Sequence, residues 1–325
     1  MKAEVRTKLC SLVIAVATCA VVQTALFAAD DLGRANAALQ AGEADKALAL
    51  LGSMPSSGEV HNLRCRVFYA LEQWDAAANE CQQAVNLDAS NSAYHMWLGR
   101  SLGSKAGDSS FMSAFSLAKK ARLEFEEAVQ LNPQNVAALA DLCEFDYSAP
   151  AVVGGGMEKA DAIAARLDKL DPERAHELRG RIAEERKDYE TAERELKEAI
   201  SVSSHPAFRW MTLANFYHRR ERWAEMDAAL QTGARLAHSN VESCGALFNG
   251  ASILVKANRD LKPAAKMFED YLNCGSKNED APAFVAYTRL ARVNAKLGDV
   301  AQAQRDRDAA LQLARTYKPA LALKY

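Results

Sequence analysis

The feature that most narrows what this chain can fold into is a recurrence. The stretch "HNLRCRVFYALEQWDAAANECQQAVNLDASN" (residues 61–91) shares its plan with "ANFYHRRERWAEMDAALQTGARL" (214–236). So do "RGRIAEERKDYETAERELKEAI" (179–200) and "AYTRLARVNAKLGDVAQAQRDRDAALQLARTYKPA" (286–320). Each has a stretch of helical period, a polar break, and a second, alanine-rich stretch of helical period, so each is an amphipathic helix pair. One such pair cannot bury its apolar face alone. The units must therefore stack, each covering the face its neighbour leaves open. Sixteen Gly and eight Pro are few for 325 residues, which argues against the many turns of an all-β chain.

Read position by position, the recurrence resembles the tetratricopeptide repeat, a helix–turn–helix unit of 34 residues. In Gly58–Asn91 the core positions fall on His61, Arg64, Cys65, Phe68, Trp74, Ala77, Cys81 and Ala84. In Ala207–Asn240 they fall on Trp210, Leu213, Ala214, Tyr217, Trp223, Met226, Leu230 and Gly233. Arg64, Asn294 and Arg307 are polar where an apolar residue is usual. The resemblance implies an all-α, right-handed superhelix, a solenoid of about eight units over residues 30–325. Their approximate bounds are 31–57, 58–91, 92–135, 136–172, 173–206, 207–240, 241–283 and 284–317. The first is degenerate and the seventh stretched.

Residues 1–29 are of another kind. Lys2, Arg6 and Lys8 precede an apolar run from Leu9 to about Val22, and small residues lead to Ala28-Ala29 before Asp30-Asp31. That order is an export signal, to be removed or kept as a membrane anchor over residues 9–29. The expected location is periplasmic or secreted, or tethered to the inner membrane with the repeats outside the cytoplasm. Removing the segment takes away three basic residues and one acidic residue, so a net charge of −2 becomes −4. Nucleic acid is not the expected partner.

Two units are too long. From Leu98 to Pro133 the spacing is 35 residues where the repeat needs 25, and from Leu142 to Pro172 it is 30. The extra residues fall between the paired helices, within Gly103–Phe115 and within "SAPAVVGGGM", Ser148–Met157. Both inserts should emerge at one end of adjacent hairpins and touch. The three glycines invite a phosphate-loop reading, but a helix precedes them and Met157-Glu158-Lys159-Ala160 follows, with no Lys-Ser/Thr step. The segment is similar to one in a group of exported bacterial tetratricopeptide proteins, a resemblance that implies no activity.

No HExxH, Cys/His ligand spacing or G-x-S-x-G occurs, so no catalytic residue, metal or cofactor is expected. His61 and His176 fall on core positions, where a packed neutral imidazole is expected. Cys65 and Cys81 are equidistant from Gln73 at one turn, as Cys244 and Cys274 are from Arg259 at another. In antiparallel helix pairs each couple can approach bridging distance, the alternative being buried thiols, and Cys143 is left unpaired.

The first helices of stacked units line the concave face. The residue after the small core position should point there: Arg66, Arg100, Glu144, Arg181, Asn215 and Arg292, with Tyr69, Tyr147, His218 and Arg219 one turn later. Guanidinium forks suit carboxylates, which points to a protein or peptide partner with an acidic or C-terminal segment. The alternative is that each arginine pairs with an acid of a neighbouring helix. The expected function is an exported scaffold for protein partners, in envelope assembly or secretion. A small-ligand or glycan binder, or an enzyme with a site at the inserts 103–115 and 148–157, are the rival readings.

Overall fold

The computed structural model describes residues 30–325, so the expected export segment lies outside the described residues. Among the described residues the helices form eight successive pairs. They are α1 (residues 30–41) with α2 (Ala44–Gly52), α3 (Gly58–Ala70) with α4 (Trp74–Leu87), and α5 (Ser92–Gly107) with α6 (Phe111–Leu131). Next come α7 (Val136–Ser148) with α8 (Met157–Leu167), α9 (Pro172–Glu185) with α10 (Tyr189–Ser201), and α11 (Pro206–Arg219) with α12 (Trp223–Ser239). The last two pairs are α13 (Gly245–Ala257) with α14 (Leu261–Asn273) and α15 (Ala283–Lys296) with α16 (Val300–Leu313), closed by the short α17 (Lys318–Leu321). The fold is an all-α solenoid of tetratricopeptide-type hairpins.

Local chemistry starts and stops these helices. Ser57, Asn135, Asp171 and Asp188 accept hydrogen bonds from the first free N–H groups of α3, α7, α9 and α10. Pro172 and Pro206 open α9 and α11, where their missing N–H is no loss. The short turns repeat one geometry. Gly42, Glu72, Lys187, Glu221 and Gly298 all have φ between 55° and 89°. The next N–H bonds back five residues, as in Gln73 to Phe68, Asp188 to Ala183 and Arg222 to Tyr217. Three of these five positions bear a side chain in the left-handed region, at a cost of about 1 kcal/mol each.

Inside each hairpin a small residue lets the helices approach. A Cβ at Gly99 would lie 2.6 Å from the Phe125 ring, and one at Gly180 2.8 Å from Leu196 Cγ. The polar residues at expected core positions resolve in different ways. Asn294 is buried and donates to Asp306, which occupies the buried site one residue before Arg307. Arg64 reaches out to the carbonyl of Leu51.

His61 and His176, expected as packed neutral imidazoles, are partly buried and each faces a carboxylate. Their Nδ1 atoms lie 2.6 Å from Glu80 and 2.8 Å from Glu195, at the partly buried edge of the hairpin. His95 meets Glu124 at 2.7 Å. The separations are 19, 19 and 29 residues, so the first insert adds ten residues without disturbing the pairing below it.

The first insert is absorbed as longer helices, leaving only Asp108–Ser110 as a connector between α5 and α6. The second forms a 3-10 turn at Ala151–Val153 followed by the glycines. It packs on α6 farther along than the first insert: a Cβ at Gly154 would lie 2.7 Å from Arg122 Cδ. Arg122 also bonds Asp146 on α7.

The array closes on itself. A Cβ at Gly42, between α1 and α2, would lie 2.3 Å from the backbone nitrogen of Ala283, which opens α15. The Tyr317 hydroxyl donates to Glu72 at 2.9 Å, Gln73 donates to Thr316 at 3.1 Å, and the N–H of Arg315 bonds Asp45. One apolar cluster therefore runs from Ala35–Leu71 directly to Ala183–Ala320, and a second spans Cys65 to Ile182. The Cys65 and Cys81 sulfurs are bonded across α3 and α4 with Cα atoms 5.2 Å apart, and those of Cys244 and Cys274 with Cα atoms 6.4 Å apart. Cys143 is free and buried, its thiol pushed up to about 12 by burial and then by neighbouring Asp146.

Candidate functional site

Because the first helices stand side by side and the ends meet, α3 and α5 face α13 and α15, and beside them α3, α5 and α7 wall a second hollow. Two adjoining cavities lie there, of about 480 and 320 Å³, with Tyr69, Trp97 and Asp280 lining both. Trp97 is the wall between them. It is 8% exposed, with Arg100 stacked 4.6 Å and Arg66 5.7 Å from its ring centre and Tyr69 edge-on at 5.5 Å. Each stacked cation contributes about 0.5–2 kcal/mol. Trp97 lies one helical turn before Arg100, so the i, i+3 relation was the signal that could have found it.

The groove arginines are paired within the chain. Arg66 makes a two-pronged contact with Glu279 at 2.8 and 2.9 Å, and Arg100 one with Asp141 at 2.5 and 3.1 Å. Arg219 takes both oxygens of Glu184 at 2.6 Å, and Arg181 lies 3.9 Å from the same carboxylate. This corrects the expectation of open guanidinium forks in favour of pairing with neighbouring elements. The physical reason is burial: a guanidinium held in a groove wall needs a carboxylate to offset its lost hydration. Burial in turn pushes the Asp141 carboxyl up, and the adjacent Arg100 opposes it.

The other expected residues scatter. Glu144 is exposed at the edge of the larger cavity. Tyr147 is half-buried, its hydroxyl pushed up by burial and then by Glu144. Asn215 is half-buried. His218 lies against Trp223, and burial, then Arg219 and Lys256, hold it below the ordinary imidazole range. Arg292 is exposed and donates to the Pro319 carbonyl near the C-terminal helix, away from the groove.

Arg289, which the alignment did not single out, lines the smaller cavity. It stacks 4.6 Å from the Phe248 ring centre and donates to Ser252 at 2.6 Å. Among the described residues no carboxylate lies within 4.0 Å of it. Burial pulls its guanidinium below the ordinary value.

The glycine segment does not grip phosphate. The N–H groups of Gly154, Gly155 and Gly156 bond the carbonyls of Ala151, Pro150 and Asp146. Gly154 has φ 106°, and a Cβ at Gly155 would sit 1.9 Å from the Ala149 carbonyl oxygen. The glycines serve a tight reversal that turns its own donors inward. Among the described residues no group of three or more His, Cys, Asp or Glu side chains could hold a metal ion, and no helix is long and apolar enough to cross a membrane.

No family model matches the chain, and no curated protein matches it in sequence. Solved structures do. The chain is similar to one from the APC/C hetero-tetramer Cut9-Hcn1, with 12% identity and a TM-score of 0.41. That match covers 83% of this chain and 50% of the other, so the chain spans about half the length of that structure. It is also similar to YrrB, described as a TPR protein with an unusual peptide-binding site, with 17% identity and a TM-score of 0.36 over 61% of this chain and 95% of that one.

Proposed function

We propose that the chain is an exported scaffold that captures a protein partner by laying an acidic segment of it along the groove. The observation that carries this reading is the groove itself: two adjoining cavities that share Tyr69, Trp97 and Asp280, with Arg66 and Arg100 held by Glu279 and Asp141 and Arg289 free, among the described residues, of any carboxylate within 4.0 Å. Aromatic faces beside the Arg289 guanidinium, which no carboxylate among the described residues occupies, suit a peptide bearing carboxylates. The groove hydroxyls argue against bond-making. Ser104 bonds the Tyr69 hydroxyl and Ser148 the carbonyl of Glu144, so neither faces a base. Export to the cell envelope follows from the charged, apolar and small-residue order of residues 1–29.

Site-specific photo-crosslinking tests the proposal without disturbing the ion pairs. A benzophenone amino acid replaces Tyr69 or Ser104 in the groove, or the outward-facing Leu123, in protein recovered from the envelope. A discrete adduct at the groove positions and none at Leu123 is the expected result. Equal labelling at all three, or none, overturns the groove as the capture surface.

A further inference from the structure

The link between α14 and α15 is the odd one among the connections between hairpins. Nine residues, 274–282, join these helices, where four suffice between α4 and α5 and between α10 and α11. The excess is not slack. Its start is fixed by the bond from Cys274 to Cys244, and its end by the Tyr271 hydroxyl, which donates to the Ala281 carbonyl. Between those points "SKNED", Ser276–Asp280, runs into the groove. The Glu279 N–H bonds Gln40 at 3.1 Å, and its carboxylate takes both prongs of Arg66, 213 residues away. Asp280 lines both cavities on the side of Arg100.

We infer that this strap is a resident acidic ligand of the groove, and that an incoming acidic segment enters by replacing Glu279 on Arg66. The inference rests on the reading of the groove as the partner site, and it names the chemistry read there. Two successive acids, carried on a turn closed by the Ala281 N–H on the Asn278 carbonyl, lie against an arginine–tryptophan wall. The displacement is feasible because the strap leaves Arg289 without a carboxylate. A longer acidic segment therefore finds a second guanidinium beside the first. The strap competes at the high effective concentration of a tethered ligand, so it sets a threshold on partner affinity.

The test uses a fluorescein-labelled peptide of sequence SKNEDAP, identical to residues 276–282, against the disulfide-bonded chain, read by fluorescence anisotropy. The Glu279→Ala/Asp280→Ala chain should bind it at least tenfold more tightly than the unaltered chain. Adding Arg66→Ala should remove that gain, and the peptide SKNQNAP should not bind. Circular dichroism and the melting temperature establish that each variant is folded. Glu279→Gln, which keeps size and hydrogen-bonding capacity, stands in if the double variant is not. A folded strap variant that binds no more tightly than the parent, or that takes SKNQNAP equally well, overturns the inference. Failure here with groove crosslinks intact rejects the strap alone, whereas peptide binding without crosslinks rejects partner capture.

Discussion

The hairpins built from α9–α12 and those built from α5–α8 solve the same packing problem with different turns. In the first pair the chain reverses in three residues, Arg186–Asp188 and Arg220–Arg222, with Lys187 and Glu221 at φ 63° and 55°. In the second pair the reversal follows two lengthened helices, or passes through a 3-10 turn and three glycines. Yet His95 meets Glu124 as His176 meets Glu195, and Gly99 admits Phe125 as Gly180 admits Leu196. Register is thus set by how the paired helices mesh along their length. The turn only has to return the chain, and it is free to grow where a surface is wanted.

Three measurements test this contrast. The largest effect is expected at Gly155→Ala. The new methyl group would meet the Ala149 carbonyl, a backbone atom that cannot swing aside. A loss of about 2–4 kcal/mol by urea denaturation is expected, with faster hydrogen exchange confined to the α7–α8 hairpin. A loss under about 0.5 kcal/mol would show that long turns are as forgiving as loops.

The next effect concerns the regular hairpins. Glu193 on α10 takes hydrogen bonds from Lys197 and from Arg222 and Tyr217 of the next hairpin. Burial alone would raise its pKa, but these donors outweigh it and hold the carboxyl at about 2, below its ordinary 4.5. A depressed folded pKa means that the carboxylate stabilises the fold above pH 4.5 and that this contribution is lost as pH falls toward 2. Glu193→Gln should therefore cost about 1–2 kcal/mol at pH 7, and the gap to the parent should close by pH 2. A gap constant across that range would remove Glu193 as the tie between hairpins.

The smallest effect is a gain. Lys187→Gly relieves a side chain held at φ 63° and should raise stability by about 0.5–1 kcal/mol, visible as a rise in melting temperature. A fall instead would mean that the long side chain contributes more than its strained backbone costs.

The hairpin period, the small residues at helix crossings and the excess length of two units were legible because they depend on neighbours in sequence. The level placement of Cys65 with Cys81, and of Cys244 with Cys274, follows from the same antiparallel geometry. The carboxylate partners of His61 and His176 were not legible, because the repeat pattern gives a position and not its surroundings. The pairing of the groove arginines was visible only as an alternative, since Asp141 and Glu184 lie on helices whose rotation the pattern leaves loose. Glu279 on Arg66 was beyond reach. That contact spans 213 residues and exists only because the array turns far enough for its ends to meet.

An open stack of repeats melts from its tips, where each outermost unit has one neighbour instead of two. Here the Gly42–Ala283 contact gives both outermost units a second neighbour, so among the described residues the array has no tip from which to unzip. Heat should dismantle it in a single cooperative step. Cutting away either end should loosen the opposite end as much as the cut one, as taking one stone from an arch frees both of its shoulders.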